Sequence, residues 1–266
     1  MNPGGVAAMT TPHASAVRQP LLDQIREHRR GVYSAGCLVG RKGTKFDLWP
    51  IGVQETAGEF LRDAIVREGA RRTLEVGLGL GLSSIFIAEA LLTGRVTATV
   101  AHTIIEPDPG LLDWAGFDQY RASGAMAFTT VVQDDSRLAL PRLVANGELF
   151  DFVYVDGGHW FDFVFLDIHF ALRLVRPGGL IVVDDHWMPS VQAALAFFHS
   201  NGLATLELYD PQGPGKRFVG VRKPLVEAHR TWDHFVEFGR HTLPEYPWRN
   251  AARPLSSVDE LCPRTS

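Results

Sequence analysis

The chain has 266 residues, 45% of them hydrophobic, which allows one large domain or two small ones and a core that needs no metal or disulfide staple. A formal net charge of −4 excludes a protein whose main task is to hold a polyanion, because neutralising phosphates requires surplus Lys and Arg. The two cysteines, Cys37 and Cys262, exclude a disulfide scaffold and a cysteine-based zinc site, and they fit cytoplasmic residence.

Residues 1–15 are rich in Gly, Pro, Ala and Thr and read as a loose terminus. They lack the basic and apolar regions of a secretory signal. Residues 21–30 predict a short charged helix, and 31–50, punctuated by glycine and proline, read as irregular. Residues 55–68 carry Phe60, Leu61, Ile65 and Val66 at helical spacing. The longest apolar run, near 85–92, is broken by Glu89 and is far short of the ~20 residues of a membrane span.

From Arg71 the pattern alternates. Short apolar runs at 73–76, 102–105, 127–132, 152–155 and 180–183 read as strands. Residues 83–92, 111–120, 137–146 and 163–174 read as the helices between them. That alternation predicts an α/β protein with a doubly wound, mostly parallel sheet covered on both faces. Runs at 205–209 and 217–221 are too close for a crossover helix, so they should form a C-terminal antiparallel hairpin. The organisation expected is a flexible N-terminus with a helical cap over 1–53, a ligand-binding domain over 54–224, and an extension over 225–266. The extension, with Trp232, Phe235, Phe238 and Trp248, reads as a helix plus an extended arm, packed on the core or on a second subunit of a homodimer.

The first strand runs into Glu75-Val76-Gly77-Leu78-Gly79-Leu80-Gly81-Leu82-Ser83. Alternate glycines let the backbone turn sharply and let a ligand approach the main chain, with the next helix aiming its free N–H groups at it. The spacing is G-x-G-x-G, not the G-x-G-x-x-G of a dinucleotide site, and Glu75 would repel a pyrophosphate while accepting a hydrogen bond from an ammonium group. Glu106, ending the second strand, can accept both hydroxyls of a ribose. Asp135 and Ser136, after the third, can meet an adenine. The ligand read from these residues has an adenosine part and a cationic part; the alternative is a plain strand–helix turn.

These residues resemble the class I S-adenosylmethionine-dependent methyltransferases, and more narrowly the small-molecule O-methyltransferases related to catechol, caffeoyl-CoA and bacterial sugar O-methyltransferases. The marks are Leu74-Glu75-Val76-Gly77, Ile105-Glu106-Pro107, Asp134-Asp135-Ser136, Asp156-Gly157-Gly158-His159 and the run from Arg176 to Asp185. The resemblance implies a Rossmann-like, seven-stranded sheet. It also implies that Glu75, Gly77, Gly79, Gly81, Ser83, Glu106, Asp135, Ser136 and Asp156 line the S-adenosyl-L-methionine site, with Gln54 near it.

Asp156 ends the fourth strand, and Asp184 and Asp185 end the fifth. Ligands bind outside the carboxyl ends of such strands, so the three carboxylates should converge. Their mutual repulsion would be relieved by a divalent cation, and oxygen ligands favour Mg²⁺, with Mn²⁺ or Ca²⁺ as alternatives. The other reading of the three acids is as helix caps. His159 stands where the catechol-type enzymes carry a lysine base, so His159 and Asp156 are the candidate catalytic residues. His159 has three readings: general base, metal ligand (a role open to His186 as well) or structural element. Trp160, Phe161 and Trp187 follow the acidic loops and can wall a substrate pocket.

The expected reaction is methyl transfer to a hydroxyl of a small molecule, without nucleic acid or membrane. The alternatives are metal-free N- or C-methylation and a nicotinamide-dependent oxidoreductase.

Overall fold

The computed structural model describes residues 13–93, 99–209, 218–227 and 229–243. The expected loose terminus, the hairpin loop at 210–216, Trp248, Cys262 and the end of the aromatic arm lie mostly or wholly outside these residues. No helix among them is long and apolar enough to cross a membrane.

The chain opens with helix α1 (His13–Ala35), then a two-strand antiparallel hairpin of β1 (Cys37–Val39) and β2 (Lys45–Asp47), then α2 (Glu55–Arg67). The alternating part follows as β3 (Arg72–Val76), α3 (Leu82–Thr93), β4 (Ala101–Ile105), α4 (Ala115–Ala122), β5 (Thr129–Val132) and α5 (Ser136–Ala145). It continues with β6 (Phe150–Val155), α6 (Phe161–Leu174), β7 (Val175–Val183) and α7 (Pro189–Ser200). The strands β8 (Thr205–Tyr209) and β9 (Val219–Arg222) complete one seven-stranded sheet, ordered β5-β4-β3-β6-β7-β9-β8. Strands β3 to β7 pair in parallel, and β9 pairs antiparallel with both β7 and β8. This is the doubly wound sheet with an antiparallel hairpin that the alternation predicts.

Helix α3 is buried along almost its whole length, so its sequence is apolar all round, as expected of a helix covered on every side. The exception, Glu89, is 2% exposed and ion-paired to Arg26 and Arg29 of α1 and Arg62 of α2. The break in the apolar run is therefore the latch that fastens the N-terminal helices onto the sheet domain.

Three sequence expectations need correction. The segment 31–50 is ordered: Gly36, at φ +70, ends α1, and Gly43, at φ +86, turns the hairpin. The helix expected over 111–120 is broken at Asp113 and Trp114, both left-handed. The hairpin holds that break open: the Lys42 N–H donates to Asp113 at 2.8 Å, and the Arg41 guanidinium lies 4.2 Å from the Trp114 ring centroid. Helix α7, absent from the sequence reading, packs Val191, Ala194, Leu195 and Phe198 into the core. The extension forms only a one-turn 3-10 segment, Arg240–Thr242, among its described residues. It packs against α7 through Asn201, which both donates to the Val236 carbonyl and accepts from the Val236 N–H.

Candidate active site

The carboxyl edge of the sheet is stitched one residue past each strand. Glu106 N–H donates to Val132, Gly77 to Ile105, Asp156 to Val76 and Asp184 to Val155, at 2.9 to 3.1 Å. Four sequence-predicted residues therefore stand in a row where the chain leaves the sheet. The strand order reverses between β3 and β6, which is where a doubly wound sheet opens a ligand crevice.

The glycine turn is built as its sequence demands. Gly77, Gly79 and Gly81 have φ of +93, +52 and +70. A Cβ on Gly77 would lie 2.1 Å from the Asp156 carbonyl oxygen, so only glycine lets the first and fourth strand ends approach. A Cβ on Gly79 would meet nothing within 4 Å, leaving open space over the turn for a ligand. Glu106 accepts from the N–H groups of Leu78 (3.0 Å) and Asp108 (3.0 Å), with Gly79 at 3.4 Å.

Glu75 corrects the sequence reading. It is fully buried, with Ser83 and Ser84 hydroxyls donating at 2.5 and 2.6 Å and the His102 Nε2 at 3.0 Å. Its carboxylate fixes the turn from beneath, and neither it nor the buried Ser83 faces a ligand. His102, which reads from sequence as an ordinary strand residue, completes that brace with its Nδ1 2.9 Å from the Thr73 hydroxyl.

Asp135 caps α5, and Arg137 holds both its oxygens, so its pKa lies below the usual carboxylate value. An adenine amino group would have to displace that guanidinium, contrary to the expectation of a free acceptor. The Arg137 guanidinium also lies 3.9 Å from the Phe163 ring centroid, with Trp160 edge-on to the same ring. Ser136 is buried beside Asp167.

The acidic cluster forms with a different membership from that expected. Ligand atoms of Asp156, His159 and Asp185 lie within 4.8 Å of one another. Asp184 is not among them: it is 1% exposed and accepts from the Tyr154 hydroxyl at 2.8 Å. Tyr154 also reaches Asp156 at 3.3 Å, a link the sequence reading missed. Asp185 adopts a left-handed backbone at φ +48 and accepts from the Trp187 indole N–H at 2.9 Å, so Trp187 orients an acid. Phe161 turns away, onto Phe165.

The His159 Nε2 lies 3.2 Å from Asp185 and 3.6 Å from Asp156, buried and aligned in a hydrogen bond with neither. Burial opposes a charged ring, but the two carboxylates outweigh it and raise the His159 pKa to about 10. An imidazole protonated at neutral pH is no base, which argues against the first of its three readings in the metal-free state. A buried nitrogen between two carboxylates is a donor set that fits a divalent cation, though of mixed N and O type and not the all-oxygen set expected.

The sheet order and the glycine turn are those expected of a class I, S-adenosylmethionine-dependent methyltransferase. Residues 74–186, spanning β3 through the Asp185 loop, match the family model described as a methyltransferase domain. No curated protein matches the chain in sequence. Similar solved structures include cofactor-bound Rv0187 from MTB, 19% identical with a TM-score of 0.57, covering 83% of this chain and 94% of that one. The O-methyltransferase from Bacillus cereus in complex with SAH is 20% identical with a TM-score of 0.57, covering 78% and 97%. The O-methyltransferase TomG from Streptomyces achromogenes, involved in tomaymycin synthesis and solved with SAM, is 22% identical with a TM-score of 0.55, covering 77% and 89%. At these identities the likeness is one of fold.

Proposed function

We propose that this methyltransferase acts on a hydroxyl group of a small molecule, with a divalent cation held by Asp156, Asp185 and His159. The observation that carries the reading is the packing of Gly77 against the Asp156 backbone, which puts this donor set beside the turn that would hold the cofactor. The similar proteins described as O-methyltransferases support the same acceptor chemistry.

In the transfer, the acceptor oxygen bonds to the methyl carbon as the carbon–sulfur bond breaks. The sulfur keeps the electron pair and becomes a neutral thioether. Much of the protein's contribution is alignment of the two reactants, for which a rigid turn suits. The glycine turn and Glu106 would bind the adenosyl group, with Glu106 exchanging backbone partners for ribose hydroxyls. Asp156 and Asp185 would orient the acceptor and take up its proton. A bound divalent cation would lower the acceptor pKa and neutralise the paired carboxylates. Trp187 would hold Asp185 in place by its N–H.

The test is transfer of labelled methyl groups to a panel of catechols and polyhydroxylated small molecules, with Mg²⁺, Mn²⁺ or EDTA. Product on oxygen that is lost in EDTA and restored by metal is expected. Asp156→Asn should lower that rate at least 100-fold while S-adenosylhomocysteine still binds. Full activity in EDTA would overturn the metal's part, and methylation only on nitrogen or carbon would overturn the acceptor.

A further inference from the structure

At the opposite end of the sheet lies a cavity of about 350 Å³ that the transfer chemistry does not use. Helices α5 and α6 end there, and Lys223, just past β9, donates to the Val175 carbonyl at the start of β7. Strand β7 then runs nine residues before the active-site acids, a separation of roughly 25 Å at about 3.3 Å per residue with allowance for its irregular start.

The floor of this cavity is apolar, formed by Phe198, Leu172 and Leu203. Its rim is cationic. Arg173 and Arg230 line it, and neither makes an ion pair or hydrogen bond with a described residue. His169 lines the cavity with them, and burial, then the charges of Arg173 and Arg230, lower its pKa. Lys223 adds a third permanent cation. The acid on the rim, Glu227, lies 3.8 Å from Lys223 with its side chain 82% exposed. Three cations against one acid, in a chain of net charge −4, is a local reversal of sign. Two guanidinium groups without a partner among the described residues, beside an exposed imidazole, repel one another, and an anion bridging them would relieve that repulsion.

We propose that this cavity binds a small organic carboxylate, its apolar body on Phe198, Leu172 and Leu203 and its carboxylate between Arg173 and Arg230. A volume of this size suits a ligand of one ring or a short alkyl chain, at the lower end of small-molecule sites. Guanidinium groups match a planar carboxylate with paired N–H donors, whereas the apolar floor gives a bare inorganic anion nothing. The site is independent of the methyl-transfer reading, since it shares no residue with the glycine turn or the acidic cluster.

The experiment is calorimetric titration of the full chain with phenylacetate, benzyl alcohol and inorganic phosphate at low ionic strength. Phenylacetate should bind with one site per chain. Its affinity should fall at least tenfold in the Arg173→Gln/Arg230→Gln variant, whose substitutions touch exposed side chains. Benzyl alcohol, without the charge, and phosphate, without the apolar body, should each bind at least tenfold more weakly than phenylacetate. S-adenosylhomocysteine binding should be the same in both proteins, which separates this site from the active site. Equal phenylacetate affinity in the variant, no phenylacetate binding, or phosphate binding as tight as phenylacetate would each overturn the proposal.

Discussion

Replacing Asp167 by Asn should stabilise the protein above pH 6. Asp167 lies on α6, fully buried, and neither of its oxygens meets a hydrogen-bond donor in good geometry. It sits under the Asp156 loop, where a Cβ on Gly157 would stand 3.1 Å from its Oδ2. Burial raises its pKa from 3.8 to about 6; Ser136 offsets part of the rise, Asp135 adds to it and Arg137 opposes it. The folded state therefore holds the proton more tightly than the unfolded chain. Its stability on this account is highest below pH ~4 and is lost as pH rises to about 6.

At about 1.4 kcal/mol for each pH unit between the two values, ionising this carboxyl costs about 3 kcal/mol. An amide of the same shape never ionises, although its own unmet hydrogen bonds return about 1 kcal/mol of that. A net gain of about 2 kcal/mol at pH 8 corresponds to a melting temperature higher by roughly 4–8 °C for a chain of this size. The assay is calorimetric melting of both proteins from pH 4 to pH 8. The variant should melt slightly lower than the parent below pH 4, and the curves should cross and separate in its favour through pH 6. A variant that melts lower than the parent at pH 8, with the parent's pH dependence unchanged, would mean the carboxylate is ionised and partnered, and would refute the argument.

Gly77→Ala should lose about 2–4 kcal/mol of stability in urea titrations, because φ +93 and the 2.1 Å approach to the Asp156 carbonyl forbid a Cβ. Gly79→Ala should cost only about 1–2 kcal/mol, from its left-handed backbone alone, yet weaken S-adenosylhomocysteine in calorimetry by filling the open side of the turn. Glu75→Gln should cost about 1–3 kcal/mol, since an amide group would face one of its three buried donors, and chemical denaturation would measure it. Arg29→Met should cost about 3 kcal/mol by leaving the buried Glu89 with fewer partners, seen as a lower melting temperature.

The core of this fold was legible because its signals are local. Each strand from β3 to β7 contains a short apolar run followed within two residues by glycine or an acid, and each ends at the residue where its sequence reading ends. What escaped depended on contacts distant in sequence. Glycines at 36 and 43 look like disorder until α1 and the hairpin they end are seen. The break at Asp113 exists because a turn more than 70 residues earlier docks on it. Helix α7 carries local signals of its own, with Pro189 at its start and Val191, Ala194, Leu195 and Phe198 at helical spacing.

The acidic site divides in the same way. Asp156 and Asp185 converge at the sheet edge, as their position after strands predicts, and Asp184 does not join them, although the rule that separates them is elementary. Successive strand residues point to opposite faces. Asp184 still belongs to the ladder through its bond to Val155, so its side chain follows the strand and meets Tyr154 inside. Asp185 has left the strand, and its φ of +48 turns its carboxylate back over the edge toward His159. Tyr154 lies two residues before Asp156 and so shares its face, which is why one hydroxyl reaches both acids. The left-handed turn at Asp185 is thus the step that converts an adjacent acid pair into one buried support and one site ligand. Such a backbone costs a non-glycine residue about 1 kcal/mol or more, a strain that the Trp187 hydrogen bond helps to hold.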